Sequence, residues 1–240
     1  MILESSDLVL VYAARVEHSR AEPKRRGYGQ FCAVASALDV VGERWTLLIV
    51  RDLVGGPKRY TDLREGLPGI ATDLLTARLR TLEAAGLVRR RTLPRPAPAS
   101  VYELTERGWM LGPVVQGLAR LGFTFLGEPT DDADIPPERL VIALRASFRP
   151  DAVPELDASY QLRLGDESFV LAVRDGDVTA ERGERADSAV AIETDAVTLT
   201  RVLGGHTDAR AAVASGALRV DGPPDALERF VAAFSWAPES

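Results

Sequence analysis

The chain has 240 residues, of which 46% are hydrophobic and 27% charged, and its formal net charge is -6. These values are ordinary for globular proteins, and the length suffices for two modest domains. A single cysteine excludes an internal disulfide, and no apolar run approaches the ~20 residues of a membrane-spanning helix. The apolar segment Leu8–Ala14 is short and follows acidic residues, unlike a secretion signal. We therefore expect a cytoplasmic protein without membrane contacts.

The negative net charge argues against a nucleic-acid-binding protein only while the chain is treated as a whole. Residues 1–27 have a net charge of +1. Residues 28–127 hold thirteen basic against nine acidic side chains, whereas residues 128–240 hold eleven against twenty-two. The acidity therefore belongs to the second half, and a modest positive charge in the first half is compatible with DNA binding.

Helical patterns and a basic hairpin follow one another in the first half. Apolar periodicity predicts three short helices, over Ala35–Val41, Trp45–Leu53 and Tyr60–Leu67. A fourth, Ile70–Glu83, places Leu75, Leu79 and Leu82 on one face, and Gly86 follows where a helix end favours a left-handed residue. A basic strand, the tip Pro94–Pro98 and a return strand Ser100–Leu104 come next. This order predicts the recognition helix and wing of a winged helix-turn-helix.

The same region resembles the HxlR family of bacterial transcriptional regulators, relatives of the MarR group. Seven segments carry the resemblance in register: Cys32–Asp39, Val41–Ile49, Arg51–Leu53, Gly56–Leu63, Leu67–Ile70, Leu74–Val88 and Tyr102–Gly108. The resemblance implies a DNA-binding repressor or activator that works as a homodimer. A helix over Gly112–Leu126 follows, with Leu118, Leu121 and Phe125 on one stripe, and helices at this place in the family usually build the dimer.

We predict contacts with an operator in double-stranded DNA from three groups of side chains. On the outward face of the fourth helix they are Thr72, Asp73, Thr76 and Arg80, with Arg78 at the edge, where it either touches phosphate or pairs with a carboxylate. Lys58 and Arg59 precede the third helix, where cations commonly meet the DNA backbone. In the wing they are Arg89, Arg90, Arg91 and Arg95. Strand alternation puts Arg89 and Arg91 on one side and Arg90 on the other, so at least one of these three can be merely solvated.

The second half begins after a segment rich in breakers and acidic residues, 128–137, which we interpret as a linker. Alternating patterns predict strands over Tyr160–Leu164, Ser168–Val173, Val178–Glu181, Ala189–Glu193 and Leu218–Val220. Helices are predicted over Ala196–Leu203, which Asp195 can cap, over Asp208–Ser215 and over 224–234. The predicted fold class is α+β, an N-terminal winged helix-turn-helix domain followed by an α+β domain with a mostly antiparallel sheet.

Residues 138–240 resemble the sterol carrier protein type 2 fold. The similar segments are Ala191–Asp195, Leu203–Gly205, Ala211–Gly216, Leu218–Gly222 and Ala226–Phe230. The resemblance implies an apolar tunnel between sheet and helices, and hence a small apolar effector. Side chains that could line such a tunnel are Val170, Ala172, Val190, Ile192, Leu199 and Val202. The alternative is a packed domain that only stabilises a dimer.

Other chemistry is sparse in this sequence. The two histidines lie in different segments, no Cys/His cluster has zinc spacing, and neither a phosphate loop nor a Gly-x-Ser-x-Gly elbow occurs. We predict no enzyme activity, no metal and no cofactor. Cys32 stands where some members of the family that this chain resembles carry a redox-sensing thiol, but its apolar neighbours favour a buried structural thiol. Residues 1–27 match nothing, and Lys24–Arg26 is either a solvated tail or a DNA contact.

Two classes of function remain open. In the first, the protein is a transcription factor whose residues 28–127 bind DNA while residues 138–240 sense an apolar molecule. In the second, it is a lipid-carrier or enzyme-accessory protein that uses a degenerate winged helix for protein contacts. The basic wing and the polar face of the fourth helix favour the first.

Overall fold

The computed structural model describes residues 27–93, 99–185 and 187–237. The chain divides into two units, Met1–Thr46 and Leu47–Ser240. The first unit contains helix α1, Ala33–Val41. Its Asp39 carboxylate accepts a hydrogen bond from the backbone N–H of Tyr28 at 3.0 Å. Trp45 has a φ of 77°, a rare conformation for an aromatic residue, so the second predicted helix begins one residue later than expected.

Cys32 is exposed, so the prediction of a buried structural thiol is wrong. The residue occupies the N-cap of α1 in an extended conformation, outside the helix whose buried side chains are Ala35 and Val41. Its neighbour Phe31 is exposed as well. Apolar neighbours in sequence therefore do not bury this thiol, because burial depends on which side chains face the helix's packed side.

The elements from Thr46 onward follow the winged arrangement in chain order. They are α2 (Thr46–Val54), β1 (Lys58–Arg59), α3 (Tyr60–Glu65), α4 (Thr72–Ala84), β2 (Val88–Thr92), β3 (Ser100–Leu104), α5 (Glu106–Trp109) and α6 (Gly112–Phe123). The three strands form an antiparallel sheet in the order β1-β3-β2. The sequence pattern did not predict β1 or α5, both of which are too short to show a periodicity.

Helix α4 packs through one apolar stripe and stops at a glycine. Leu75, Leu79 and Leu82 are fully buried, as the 3.6-residue spacing predicts. Gly86 has a φ of 68°, and its N–H donates to the carbonyl of Glu83 at 2.9 Å, while the Leu87 N–H donates to Leu82 at 2.9 Å. This pair of bonds satisfies the last carbonyls of the helix and turns the chain into the wing.

The remaining elements build a five-stranded sheet covered by helices. They are α7 (Pro137–Ser147), β4 (Ala158–Leu164), β5 (Glu167–Arg174), β6 (Asp177–Arg182), β7 (Val190–Thr194), α8 (Ala196–Leu203), α9 (Ala209–Ala214), β8 (Leu218–Asp221) and α10 (Ala226–Phe234). The strand order is β6-β5-β4-β7-β8, and only the β4–β7 pair is parallel. The predicted α+β class and the mostly antiparallel sheet are confirmed. Helix α7 was not predicted, although Leu140, Val141 and Leu144 form its buried side.

Local sequence signals explain how this sheet is connected. The β4–β5 turn places Gly165 at a φ of 64°, and the β5–β6 turn places Asp175 and Gly176 at 51° and 74°. Two consecutive left-handed residues are the geometry that tight hairpins favour. The Asp195 carboxylate accepts the Thr198 N–H at 2.8 Å, which confirms the predicted cap of α8.

Several contacts join the winged elements to the five-stranded sheet and its helices. The rings of Phe123 and Trp236 stack with centroids 4.8 Å apart and planes 8° from parallel. Arg120 Nε donates to the Ala146 carbonyl at 2.8 Å. Arg201 donates to the Pro129 carbonyl at 2.7 Å and pairs with Asp131 at 2.8 Å, which fixes part of the predicted linker against α8. The two regions with different sequence patterns thus share one packed unit.

Candidate DNA interface and ligand site

The outward face of α4 presents polar side chains, which differ in their exposure and in the hydrogen bonds that they make within the protein. Thr72, Asp73 and Arg80 are exposed. Thr76 is half-buried, and its hydroxyl donates to the Thr72 carbonyl at 3.0 Å. The Tyr60 hydroxyl donates to the same carbonyl at 2.9 Å and lies 3.2 Å from Thr76 Oγ1. Three of the predicted contacts are therefore accessible, whereas the Thr76 hydroxyl proton is already used within the protein.

Arg78 lies at the edge of α4, as expected from its position between the two faces. Its side chain is half-buried, and it already has an interaction partner within the protein. Of the two alternatives that the sequence left open, a contact with phosphate would compete with this partner. Arg80, two positions later and on the exposed face, has no hydrogen bond or ion pair within the described ranges.

The wing divides its arginines between the two faces of the β2–β3 hairpin. Arg89 and Arg91 both bind Glu103, with Nε to carboxylate distances of 2.7 and 2.8 Å. Arg90 points the other way, donates to Ser100 Oγ at 2.5 Å and lies over the Tyr102 ring at 5.8 Å. The predicted alternation is confirmed. Arg95 lies outside the described residues.

Glu103 is the wing residue that the sequence analysis missed. It is buried between two arginines. Hydrogen bonds from Arg89 and then Arg91 lower the pKa of Glu103, although burial acts in the opposite direction. The carboxylate therefore remains ionised and neutralises part of the charge that the arginines bring to the wing. The available signal was a glutamate on the return strand that faces Arg89 and lies diagonally from Arg91, because such cross-strand neighbours lie close together.

Lys58 and Arg59 form the short strand β1 beside β3. Lys58 faces Tyr102 and is half-buried, and Arg59 faces Val101 and is exposed. The backbone N–H of Arg59 donates to the Asp62 carboxylate at 2.8 Å, which fixes the start of α3. This pairing puts both cations in the same sheet as the wing, a proximity that sequence spacing alone does not give.

The six predicted ligand-lining side chains fall into two groups. Val190, Ile192, Leu199 and Val202 are buried in one hydrophobic core with Leu171 and Val173. Val170 and Ala172 alternate with those two β5 residues and so lie on the opposite face of the sheet. The structure brings four of the six together, and these four fill the core with their neighbours.

Within residues 27–93, 99–185 and 187–237, no group of three or more His, Cys, Asp or Glu side chains is placed to hold a metal ion. In the same part of the chain, no helix combines the length and the apolar character that crossing a bilayer requires.

Comparisons with known proteins match one family to the winged elements and another to the five-stranded sheet and its helices. The HxlR-like helix-turn-helix family model matches residues 40–129, which include α4 and the wing, and the SCP-2 sterol transfer family model matches residues 142–235. The chain is 33% identical over 107 residues to the helix-turn-helix-type transcriptional regulator sll1512 of Synechocystis sp., over 45% of this chain and 79% of that protein. It is 38% identical over 96 residues to the regulator YodB of Bacillus subtilis, over 40% and 85%.

A solved structure of reduced YodB from Bacillus subtilis is 33% identical, with a TM-score of 0.36 over 42% of this chain and 100% of that one. The family model and the curated relatives carry the assignment, since the relatives are matched over most of their length. The C-terminal part contains a domain of the SCP-2 sterol transfer family. The chain belongs to the HxlR-like helix-turn-helix family of transcriptional regulators.

Proposed function

We propose that this regulator binds an operator by placing α4 in the major groove and the β2–β3 hairpin along the neighbouring backbone. The observation that carries the proposal is the exposed polar face of α4 beside a hairpin with three arginines. In this arrangement Thr72, Asp73 and Arg80 reach base edges, while Lys58, Arg59 and the wing arginines meet phosphates. The excess of basic residues over acidic ones in 28–127 supports it.

The test is fluorescence anisotropy with DNA from upstream of the protein's own gene and a scrambled duplex of the same length. We expect tighter binding to the upstream DNA and an affinity that falls with salt concentration. Equal affinity for both duplexes at every salt concentration would contradict sequence-specific binding. No binding to either duplex would favour the carrier or accessory protein as the alternative function.

We also propose that the regulator acts as a homodimer. Leu118, Leu121 and Phe125 on and after α6 are 47%, 55% and 79% exposed, so the described part of the chain leaves much of this apolar stripe open to solvent. Pairing two stripes would remove them from water, and a two-fold dimer would read half-sites about one helical turn, ~10 bp, or a multiple apart. Light scattering should show a dimer at micromolar concentration. Monomers alone, with and without DNA, would contradict this.

A second candidate function is the sensing of a small apolar molecule by the C-terminal domain. The SCP-2 sterol transfer family match favours it. Because Val190, Ile192, Leu199 and Val202 are packed in a core, a ligand must displace neighbouring side chains in order to reach them. The test is titration of the full-length protein with a fluorescent fatty acid. Saturable uptake that shifts DNA affinity supports a sensor, and no uptake leaves these residues with a purely structural role.

A further inference from the structure

Helix α7 begins in the interval between the two family matches, which cover residues 40–129 and 142–235. Two adjacent residues of its first turn contact different regions of the protein. Glu138 accepts a hydrogen bond from Arg182 of β6 at 3.3 Å, while Arg139 donates from Nη2 to the backbone carbonyl of Gly66. The start of α7 is therefore joined both to the five-stranded sheet and to the helix-turn-helix, by a pair of residues that neither family match covers.

The partner of Arg139 stands at the turn of the helix-turn-helix. Gly66 is the C-cap of α3, and α4 begins at Thr72, so the turn between these helices consists of residues 66–71. The last carbonyls of a helix have no partner within it, and a basic side chain is one of the groups that can satisfy them. No backbone N–H within the described ranges donates to the Gly66 carbonyl, so Arg139 takes that role.

The same turn is closely packed on its other sides. A Cβ on Gly66 would lie 2.9 Å from Asp52 Oδ2 at the end of α2. Leu67 and Ile70 within the turn are buried in the core. Burial raises the pKa of Asp52, and Arg139 is among the cations that oppose this shift, as expected when both groups lie close to Gly66. Packing thus fixes the turn from the side of α2, and Arg139 supplies the hydrogen bond from α7.

Helix α7 is itself held along its length, so it is a firm base for Arg139. Leu140 and Leu144 belong to the hydrophobic core beside the five-stranded sheet. At the other end of the helix, Arg120 Nε of α6 donates to the Ala146 carbonyl at 2.8 Å. A side chain that extends from such a helix is restricted in position, which is what a residue needs in order to orient another element.

We propose that Arg139 is a positioning residue, which fixes the α3–α4 turn and thereby the orientation of α4 in the major groove. The inference rests on the proposed binding of α4 to an operator. Arg139 acts through Gly66 on the side chains at the start of α4, Thr72 and Asp73, and not by contact with DNA. Contacts with base edges require a stricter orientation than phosphate contacts, so losing this hydrogen bond affects operator binding more than binding to random DNA.

The first experiment measures the turn in the full-length protein without DNA. Arg139→Met keeps the apolar stem of the side chain but removes the donor, whereas Arg139→Lys keeps a charged donor. Hydrogen-exchange mass spectrometry should show residues 66–71 exchanging about fivefold faster or more in Arg139→Met, with β4 and α10 unchanged. Arg139→Lys should restore most of the protection. Arg174→Met, which removes an exposed arginine of β5 that pairs with Asp157, is the control and should match the unaltered protein.

The second experiment measures DNA affinity of the same variants by fluorescence anisotropy, with the upstream duplex and its scrambled counterpart. Arg139→Met should bind the upstream duplex about fivefold more weakly or worse. Its affinity for the scrambled duplex should fall no further than that of Arg174→Met, which loses the same charge. Arg139→Lys should recover most of the affinity for the upstream duplex.

Several results would overturn the positioning role of Arg139. They are unchanged exchange at residues 66–71 in Arg139→Met, an equal acceleration throughout the chain, equal losses of affinity for both duplexes, and no recovery in Arg139→Lys. If the unaltered protein does not distinguish the duplexes, operator binding fails as a function, and the exchange measurement alone decides whether Arg139 fixes the turn. If Arg139→Met does not fold by circular dichroism, Arg139→Gln replaces it, with the same expected and contradicting results.

Discussion

Individual side chains on the proposed DNA interface differ in whether they already make contacts within the protein. Arg80 is exposed on α4 and unpaired within the described ranges, whereas Arg90 rests against Ser100 and the Tyr102 ring. An arginine that is free to enter a DNA groove can make a bidentate contact with a base. An arginine beside the DNA backbone acts through its charge on the phosphates. The two residues therefore offer a matched pair for separating base recognition from phosphate contact.

We predict that Arg80→Ala costs ~1–3 kcal/mol of binding free energy on the operator and much less on random DNA. Arg90→Ala should weaken both DNAs alike and reduce the salt dependence of log K by about one unit. Anisotropy titrations at several salt concentrations measure both effects. If Arg80→Ala weakens operator and random DNA equally, Arg80 does not read a base.

A second prediction concerns Glu103, whose carboxylate binds Arg89 and Arg91. Glu103→Gln removes one negative charge from the wing, so we expect up to about fivefold tighter binding to any DNA sequence, in line with the modest strength of such pairs. Because the folded-state pKa of Glu103 is lowered, its stabilising contribution is present above the ordinary pKa of glutamate. That contribution is lost as the pH falls through the lowered value. When the free energy of unfolding is measured as the pH is lowered, Glu103→Gln should lose less of it than the unaltered protein. Unchanged DNA affinity in Glu103→Gln would contradict the charge argument.

At the scale of elements, the short helix α5 packs against the turn between α4 and the wing. The Thr105 hydroxyl donates to the Gly86 carbonyl at 2.7 Å and accepts the Gly108 N–H at 3.0 Å. A Cβ on Gly108 would lie 2.0 Å from the Leu87 carbonyl oxygen. Only glycine at this position lets α5 approach the turn so closely.

Gly108→Ala should therefore destabilise the fold by roughly 2–3 kcal/mol, because backbone and not a flexible side chain must move. Gly117→Ala in α6 is the control, since a Cβ there meets nothing within 4 Å. Alanine is a better helix former than glycine, so the control should be neutral or slightly stabilising. Urea denaturation of both variants measures the difference. Equal stabilities would show that the α5 contact is not tight.

The apolar stripe of α6 leads to a prediction about assembly. Leu118→Glu combined with Leu121→Glu should convert the proposed homodimer into monomers, because pairing would bury four like charges. Val213→Glu on α9, at a side chain that is 41% exposed, is the control and should remain dimeric. Light scattering measures mass, and operator binding should fall with the dimer. A dimer that persists in the double variant would show that the interface lies on other residues.

On the scale of the whole molecule, the stacked rings of Phe123 and Trp236 connect α6 with the chain that follows α10. We predict a coupling free energy of about 0.5–1.5 kcal/mol between Phe123→Ala and Trp236→Ala in a double-mutant cycle on unfolding. Denaturant titrations of the two single variants and the double variant supply the cycle. Strictly additive losses would mean that the stack contributes nothing beyond the burial of each ring.

The sequence by itself determined the elements whose signals are local. Periodicity located α4 and its buried leucines, Gly86 and Asp195 marked helix ends, and alternating patterns located the strands of the five-stranded sheet. Seven segments in register indicated the HxlR family, and five shorter segments indicated the sterol carrier family. These features depend on residues within a few positions of each other, so backbone preferences are enough to predict them.

Only the tertiary structure decided features that join distant residues. It paired Glu103 with the wing arginines, exposed Cys32, and placed Val170 and Ala172 on the face opposite Ile192. Helix α7, which the sequence pattern did not indicate, contributes Leu140, Val141 and Leu144 to the core beside the five-stranded sheet. Burial and electrostatic environment depend on which elements pack together, and that packing follows from the free energy of the whole unit and not from any short stretch of the chain.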